Sequence, residues 1–208
     1  HTSPVVRDMI RFQILTLCRP GEVCDLRPCD LDTTGERVSR LLGQPVDLRG
    51  CWAYLPKSHK TEHHGIRKVI AVGPQAQAVL APYLERDPGA YCFTPQESKA
   101  WWAAERRKAR KSKVQPSQAD RSGPAPRKQP GGKWSTSGYH QAVEQAAARA
   151  GVTHWFPNQL RHLSATASQQ LHGWDATRVR LGHTSVETTK IYVLQDLQKG
   201  IDAAAQSG

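Results

Sequence analysis

No apolar run in this chain approaches the roughly 18 residues that a membrane-crossing helix needs, and no signal peptide is visible. Cysteine is sparse and odd in number, at positions 18, 24, 29, 51 and 92, with no Cys-x-x-Cys pair. That argues against a disulfide framework and points to a reduced, cytosolic compartment. Cys18, Cys24 and Cys29 flank a helical stretch and read as small core residues. Acidic residues are scarce: 18 Asp and Glu face 29 Lys and Arg, for a net charge of +11. Such an excess favours a polyanionic partner, nucleic acid first. Residues 97–133 hold eleven Lys and Arg against Glu97, Glu105 and Asp120, so a net +8 of the +11 sits in one segment. Within 112–133 Val114 is the one aliphatic residue larger than Ala, so this stretch has too little to bury and is expected to be mobile. No internal repeat is visible. His1 is not an initiator Met, and the chain is expected to be a fragment.

The 208 residues suffice for one good-sized core, and 38% hydrophobic residues is low but compatible with a globular domain carrying a polar insert. The apolar positions Val5, Met9, Phe12, Leu15 and Leu17 predict a helix over 4–18. Pro20 suits the first turn of a second helix, about Gly21 to Leu26. Asp30 to Gly50 reads as irregular. Cys51–Leu55 and Arg67–Val72 read as a hairpin with a polar connection. Helices are then expected from Pro74 to about Glu85, with Ala78, Val79 and Leu80 on the apolar side, and over Glu97–Lys113, Ser135–Ala150, Asn158–Leu171 and Asp175–Leu181. In the 158–171 helix, Leu160, Leu163, Ala167 and Leu171 share a helical spacing that implies a core face, with Arg161 beside it at a cleft edge. Thr184 to Glu187 forms a capping box that starts a last helix.

Four side chains stand out. Arg161 lies in Asn158-Gln159-Leu160-Arg161-His162, His183 closes Leu181-Gly182-His183, and Tyr192 follows nine residues later. Far upstream Arg19 opens Arg19-Pro20-Gly21-Glu22. Arginine binds two non-bridging phosphate oxygens through its planar fork. A tyrosine phenol can attack and hold the phosphate covalently. Together they suit a phenol attacking a phosphodiester while cations hold it. Glu22, on the same helical face as Arg19 at i, i+3, is placed to orient it.

These residues, in this order and spacing, resemble the catalytic domain of tyrosine recombinases, the phage-integrase family, over roughly residues 4 to 195. The family pattern runs Arg, a Lys in a β-hairpin, His-x-x-Arg, His or Trp, then Tyr. Matching positions are Arg19, Lys60, Asn158 with Arg161, His183 and Tyr192. The resemblance implies a mainly α fold with a small antiparallel β-sheet, of the α+β class, forming a single catalytic domain over 1–208. It further implies strand cleavage and religation through a 3′-phosphotyrosyl link, on double-stranded DNA, in a cytoplasmic or nucleoid setting. Arg19 and Arg161 would grip the scissile phosphate, His183 would bind a non-bridging oxygen, and Tyr192 would be the nucleophile. Lys60 would protonate the leaving 5′-oxygen, with Lys57 as the fallback and Arg67 and Lys68 nearby. His162 would be a buried structural hydrogen-bonder. No metal or other cofactor is required, because arginines supply the cations. An N-terminal domain that clamps the duplex is expected to be missing. The tail 197–208 either docks on a neighbour within a tetramer or frays.

Asn158 departs from the pattern. Asn donates a hydrogen bond but has no proton titrating near neutral pH, so it keeps the electrostatic part of the usual histidine's role and loses the proton-shuttle part. It also suits a helix N-cap. His59, His63 and His64 invite a metal reading, but no clear fourth ligand accompanies them. The basic insert 97–133, with Arg106, Arg107, Lys108, Arg110 and Lys111, reads as a DNA-backbone contact, joined by Lys57 and Arg67. Two other readings remain. One is type IB topoisomerase-like relaxation; the other is a non-catalytic DNA-binding relic, to which Asn158 lends weight.

Overall fold

The computed structural model describes residues 1–57, 68–113, 115, 131–182 and 200–207. Helix α1 (Pro4–Thr16) lies at the centre, packed on α2 (Pro20–Asp25), α4 (Pro74–Leu80), α5 (Pro95–Lys108), α6 (Thr136–Ala150) and α7 (Pro157–Leu181). Its start follows from Ser3, whose hydroxyl accepts from the Val6 N–H, and from Pro4, which has no N–H to leave orphaned. It stops because Leu17 turns left-handed, with φ 57°, and the Leu17 N–H closes on the Gln13 carbonyl. Val5, Met9 and Phe12 are buried as the spacing implied. Phe12 is fully enclosed, and burial of a side chain that size stabilises by about 1.5–3 kcal/mol.

A three-stranded antiparallel sheet, β1 (Leu31–Asp32), β2 (Trp52–Tyr54) and β3 (Ile70–Val72), runs in the order β1-β2-β3. Its register pairs Leu31 with Tyr54 and Tyr54 with Ile70. Alternation sends Tyr54, Ile70 and Val72 into the main core beneath α1, and Ala53 and Ala71 to the other face. There Val38, Leu48, Cys51, Ile201 and Ala204 build a smaller core.

Several expectations change. The stretch from Asp30 to Gly50 is not irregular: it holds β1 and α3 (Glu36–Leu42). Buried Asp32 explains α3, since its carboxylate accepts from the Thr34, Gly35 and Val38 N–H groups. Gly35 adopts φ 84° there, and a Cβ would stand 3.1 Å from the Val46 carbonyl oxygen. The hairpin strands are shorter than expected, as is the helix from Pro74, which ends at Leu80 and continues as a 3-10 turn, Ala81–Tyr83; Ala78 is exposed while Ala76, Val79 and Leu80 are buried. Cys29 is exposed, whereas Cys18, Cys24, Cys51 and Cys92 are buried.

The segment 97–133 begins as a regular helix. α5 is capped by the reciprocal Thr94 and Glu97 bonds and runs to Lys108, not 113. Residues 114 and 116–130 lie outside the described residues, so the expected mobility of 112–133 bears on a stretch mostly beyond them. The tail does not fray at 200–207: these residues are helical, and Ile201 and Ala204 pack under the sheet of their own chain.

Candidate active site

Glu22 organises the junction between α1 and α2. Its Oε2 accepts from the Arg19 N–H at 2.7 Å, and its Oε1 lies 3.4 Å from Arg19 Nη1. The orienting role expected for Glu22 therefore has matching geometry, but the carboxylate is no solvated surface charge. It is 4% exposed, and its shortest partner is Lys68, whose Nζ donates to Oε1 at 2.6 Å. Lys68 precedes β3 by two residues and is itself buried. The Tyr54 hydroxyl, from β2, donates to the Glu22 carbonyl at 2.9 Å, tying α2 to the sheet. Burial alone would push the Glu22 carboxyl up. The Lys68 ammonium and its hydrogen bond, with the Arg19 N–H and charge, outweigh burial and hold it below the ordinary carboxylate value. Burial pulls the Lys68 ammonium down, and Glu22 only partly restores it.

Arg161 reaches the same place from the other end of the chain. The buried face of α7 is Pro157, Leu160, Arg161, Ser164 and Ser168, not the leucine stripe. Leu163 is 65% and Leu171 73% exposed, and Ala167 is exposed too. Arg161 is thus no cleft-edge residue: it is 7% exposed, donating Nη1–H to the Leu17 carbonyl and Nη2–H to the Leu181 carbonyl. These bonds join the end of α1 to the end of α7. Burial, then the neighbouring charge of Arg19, pulls its guanidinium down, so the two arginines sit within electrostatic reach. Gly182, at φ 64°, packs against the Lys68 stem, where a Cβ would come 2.8 Å from Cε. Arg19, Glu22, Lys68, Arg161 and the residue preceding His183 therefore meet at one point. Lys60, Arg67, His183, Tyr192, His59, His63, His64 and the Thr184–Glu187 box lie outside the described residues.

Asn158 does not cap α7. Phe156 occupies that position, its N–H bonded to Gln159 Oε1 at 2.7 Å, and Pro157 starts the helix. Asn158 is exposed in the first turn. It lines a cleft of about 490 Å³ with Pro20, Thr136, His140, Phe156 and His162. His162 is exposed rather than a buried hydrogen-bonder, because it points away from the face that Arg161 buries. Lys57 is exposed, as are Arg106, Arg107, Lys108, Arg110 and Lys111 at and beyond the end of α5. The Lys108 ammonium bonds Glu105 at 2.8 Å.

Two supports went unread in the sequence. Gln13, fully buried in α1, donates to the Pro157 carbonyl at 2.8 Å and accepts from the Tyr139 hydroxyl at 3.0 Å, locking α6 and the start of α7 to α1. Arg180 is buried, donating to the Leu15 carbonyl and Ser168, and burial pulls it down to about 10. For Gln13 the signal was a polar residue on an otherwise apolar helical face; Arg180 stood on a face with Ser168 and Thr177 and gave no such signal.

The candidate nucleophiles sort by burial. It pushes the Cys18, Cys24 and Cys92 thiols up to about 12, which leaves little thiolate at neutral pH. Burial also raises the Tyr54, Tyr83 and Tyr139 phenols, each bonded within the core.

A family model described as "Phage integrase family" matches residues 3–199. No curated protein and no solved structure gives a match.

Proposed function

The chain belongs to the phage integrase family, whose work is DNA recombination and integration, and from that premise we propose that it is a site-specific recombinase acting through Tyr192. The Tyr192 phenol oxygen attacks the scissile phosphorus and the bond to the 5′-oxygen breaks. A 3′-phosphotyrosyl link forms as the phenol proton passes to solvent water, and a 5′-hydroxyl departs with a proton from Lys60. The partner strand's 5′-hydroxyl reverses the step, so no nucleotide triphosphate is consumed. Arg19 and His183 bind non-bridging oxygens. Arg161 contributes its charge from beneath, where low dielectric strengthens it. Asn158 donates a hydrogen bond to the phosphate without relaying a proton. Glu22 and Lys68 hold the arginine frame.

The observation that supports this reading is the convergence of Arg19, Glu22, Lys68, Arg161 and Gly182, drawn from four separated stretches of chain. A cationic group of this kind suits stabilisation of the charge that develops on a phosphorane. The sorting of tyrosines agrees, since Tyr54, Tyr83 and Tyr139 are committed to the core. The exposed cations from Arg106 to Lys111 suit sequence-independent contact with the DNA backbone. On DNA the enzyme works as a tetramer.

The experiment is a suicide duplex, nicked beside a candidate site, incubated with wild type and with Tyr192→Phe. A covalent adduct on a denaturing gel, absent from the Phe variant, is the expected result. Duplex binding without any adduct from wild type supports the inactive relic instead. Relaxation of supercoiled plasmid without strand exchange supports the topoisomerase-like alternative.

A further inference from the structure

On the flank of α6 three ligand-type side chains converge. His140 and Glu144 are one helical turn apart, so their side chains rise from the same face. Gly151 ends the helix at φ 66°, with its N–H and that of Val152 closing on the Ala148 and Ala147 carbonyls. The chain reverses there, and His154 returns over the last turns of α6. One donor atom from each of His140, Glu144 and His154 lies within 4.8 Å of the others. His154 Nε2 stands 3.7 Å from Glu144 Oε1.

Tetrahedral coordination at bonds of 2.0–2.2 Å places donor atoms roughly 3.3–3.5 Å apart. Closing from the observed spacing asks only for small rotations, and Glu144 and His154 are exposed and able to make them. The imidazoles are already oriented. Phe156 packs edge-on against both, with centroids 4.8 Å from His140 and 4.5 Å from His154. His140 Nε2 is shielded from solvent and has no hydrogen-bond partner among the described residues. A buried imidazole nitrogen left unbonded costs free energy unless something binds it.

We propose that His140, Glu144 and His154 bind one divalent cation of the zinc class. Two imidazoles and one carboxylate suit zinc over magnesium, which prefers an all-oxygen shell. Three protein ligands leave a fourth position for water or an incoming oxygen ligand. The cation would tie the 151–156 connection to α6. That connection leads through Phe156 into Pro157, Asn158 and Arg161, and His140 shares its cleft with Asn158 and His162. The site would therefore brace the start of the helix that carries the buried arginine.

Zinc is titrated calorimetrically into the full chain after chelator treatment, with thermal melts and Trp155 fluorescence as parallel readouts. Compared are wild type, Glu144→Ala, His154→Ala and a triple His59→Ala, His63→Ala, His64→Ala variant, which removes these three histidines as a competing site. The expected result is one equivalent bound by wild type and by the triple variant. Affinity should fall at least about tenfold in each single variant, the scale on which even outer-shell ligand partners act. Zinc should raise the melting temperature of wild type and not of His154→Ala. Magnesium should reproduce none of this. Because Glu144 and His154 are exposed, the metal-free melts of their variants should match wild type. Failure of wild type to bind zinc overturns the proposal, as does binding lost from the triple variant but kept by His154→Ala. Neither outcome depends on DNA cleavage.

Discussion

Glu22 carries four bonds at once: the Arg19 N–H at its Oε2, Lys68 and the Arg19 guanidinium at its Oε1, and Tyr54 at its carbonyl. With both Glu22 and Lys68 almost solvent-free, removing Glu22 leaves the buried Lys68 ammonium without its carboxylate, and removing Lys68 leaves the buried Glu22 carboxylate with its Arg19 contacts alone. Glu22→Gln and Lys68→Met should each destabilise by about 3–5 kcal/mol, and the double variant by clearly less than the sum, in urea unfolding. The carboxyl's folded value lies below the unfolded one, so its stabilisation is present above the ordinary value of 4.5 and is lost as pH falls through the folded value. Acid unfolding of Glu22→Gln should accordingly show a flatter limb below pH 4.5 than wild type. The Arg19–Glu22 pair was legible from three-residue spacing on one helix. Lys68 was not: its partner lies 46 positions away, and the hairpin offered Lys57, Lys60 and Arg67 beside it. Where several like charges crowd one loop, sequence cannot say which of them the core admits.

Element boundaries set by local chemistry were readable. Pro20 and Pro74 at helix starts, and Gly151 and Gly182 at helix ends, stand where their φ preferences put them. Helix α7 misled, because leucines at helical spacing suggested a buried stripe. Its buried face instead carries Arg161, Ser164 and Ser168, with Arg161 on the Leu17 and Leu181 carbonyls and Ser168 bonded by Thr177 and Arg180. A backbone carbonyl 144 residues away, that of Leu17, is invisible to a periodicity argument. α3 was missed for a similar reason, since its cap, Asp32, binds N–H groups up to six positions ahead across a glycine turn. Gly173 interrupts α7 at φ 79°, ψ 177°, a region open almost only to glycine. Among the described residues nothing crowds a Cβ there, so Gly173→Ala tests backbone strain. The expected cost is about 1–3 kcal/mol in chemical denaturation, with the far-ultraviolet signal of the folded state unchanged.

At the scale of the molecule, a central helix brings residues 17–22, 68, 161 and 182 together, although the two halves of the site are more than ninety residues apart in sequence and a basic, Pro-rich segment lies between them. The fold class followed from the resemblance to the tyrosine recombinases, and the charge excess was plain. Which histidines and arginines are buried was not, because that depends on packing between distant segments. The His140–Glu144–His154 group had only an i, i+4 pair to announce it; His154 joins it through the turn at Gly151. In the proposed reaction one particular tyrosine carries the DNA through its 3′ phosphate. The most direct test is to digest the covalent adduct with trypsin and nuclease and locate the residual nucleotide by mass spectrometry. The expected result is a 3′-phosphate-linked nucleotide on Tyr192, within the peptide from Ile191 to Lys199. Attachment to Tyr91, to any core tyrosine, or through a 5′ phosphate would contradict it.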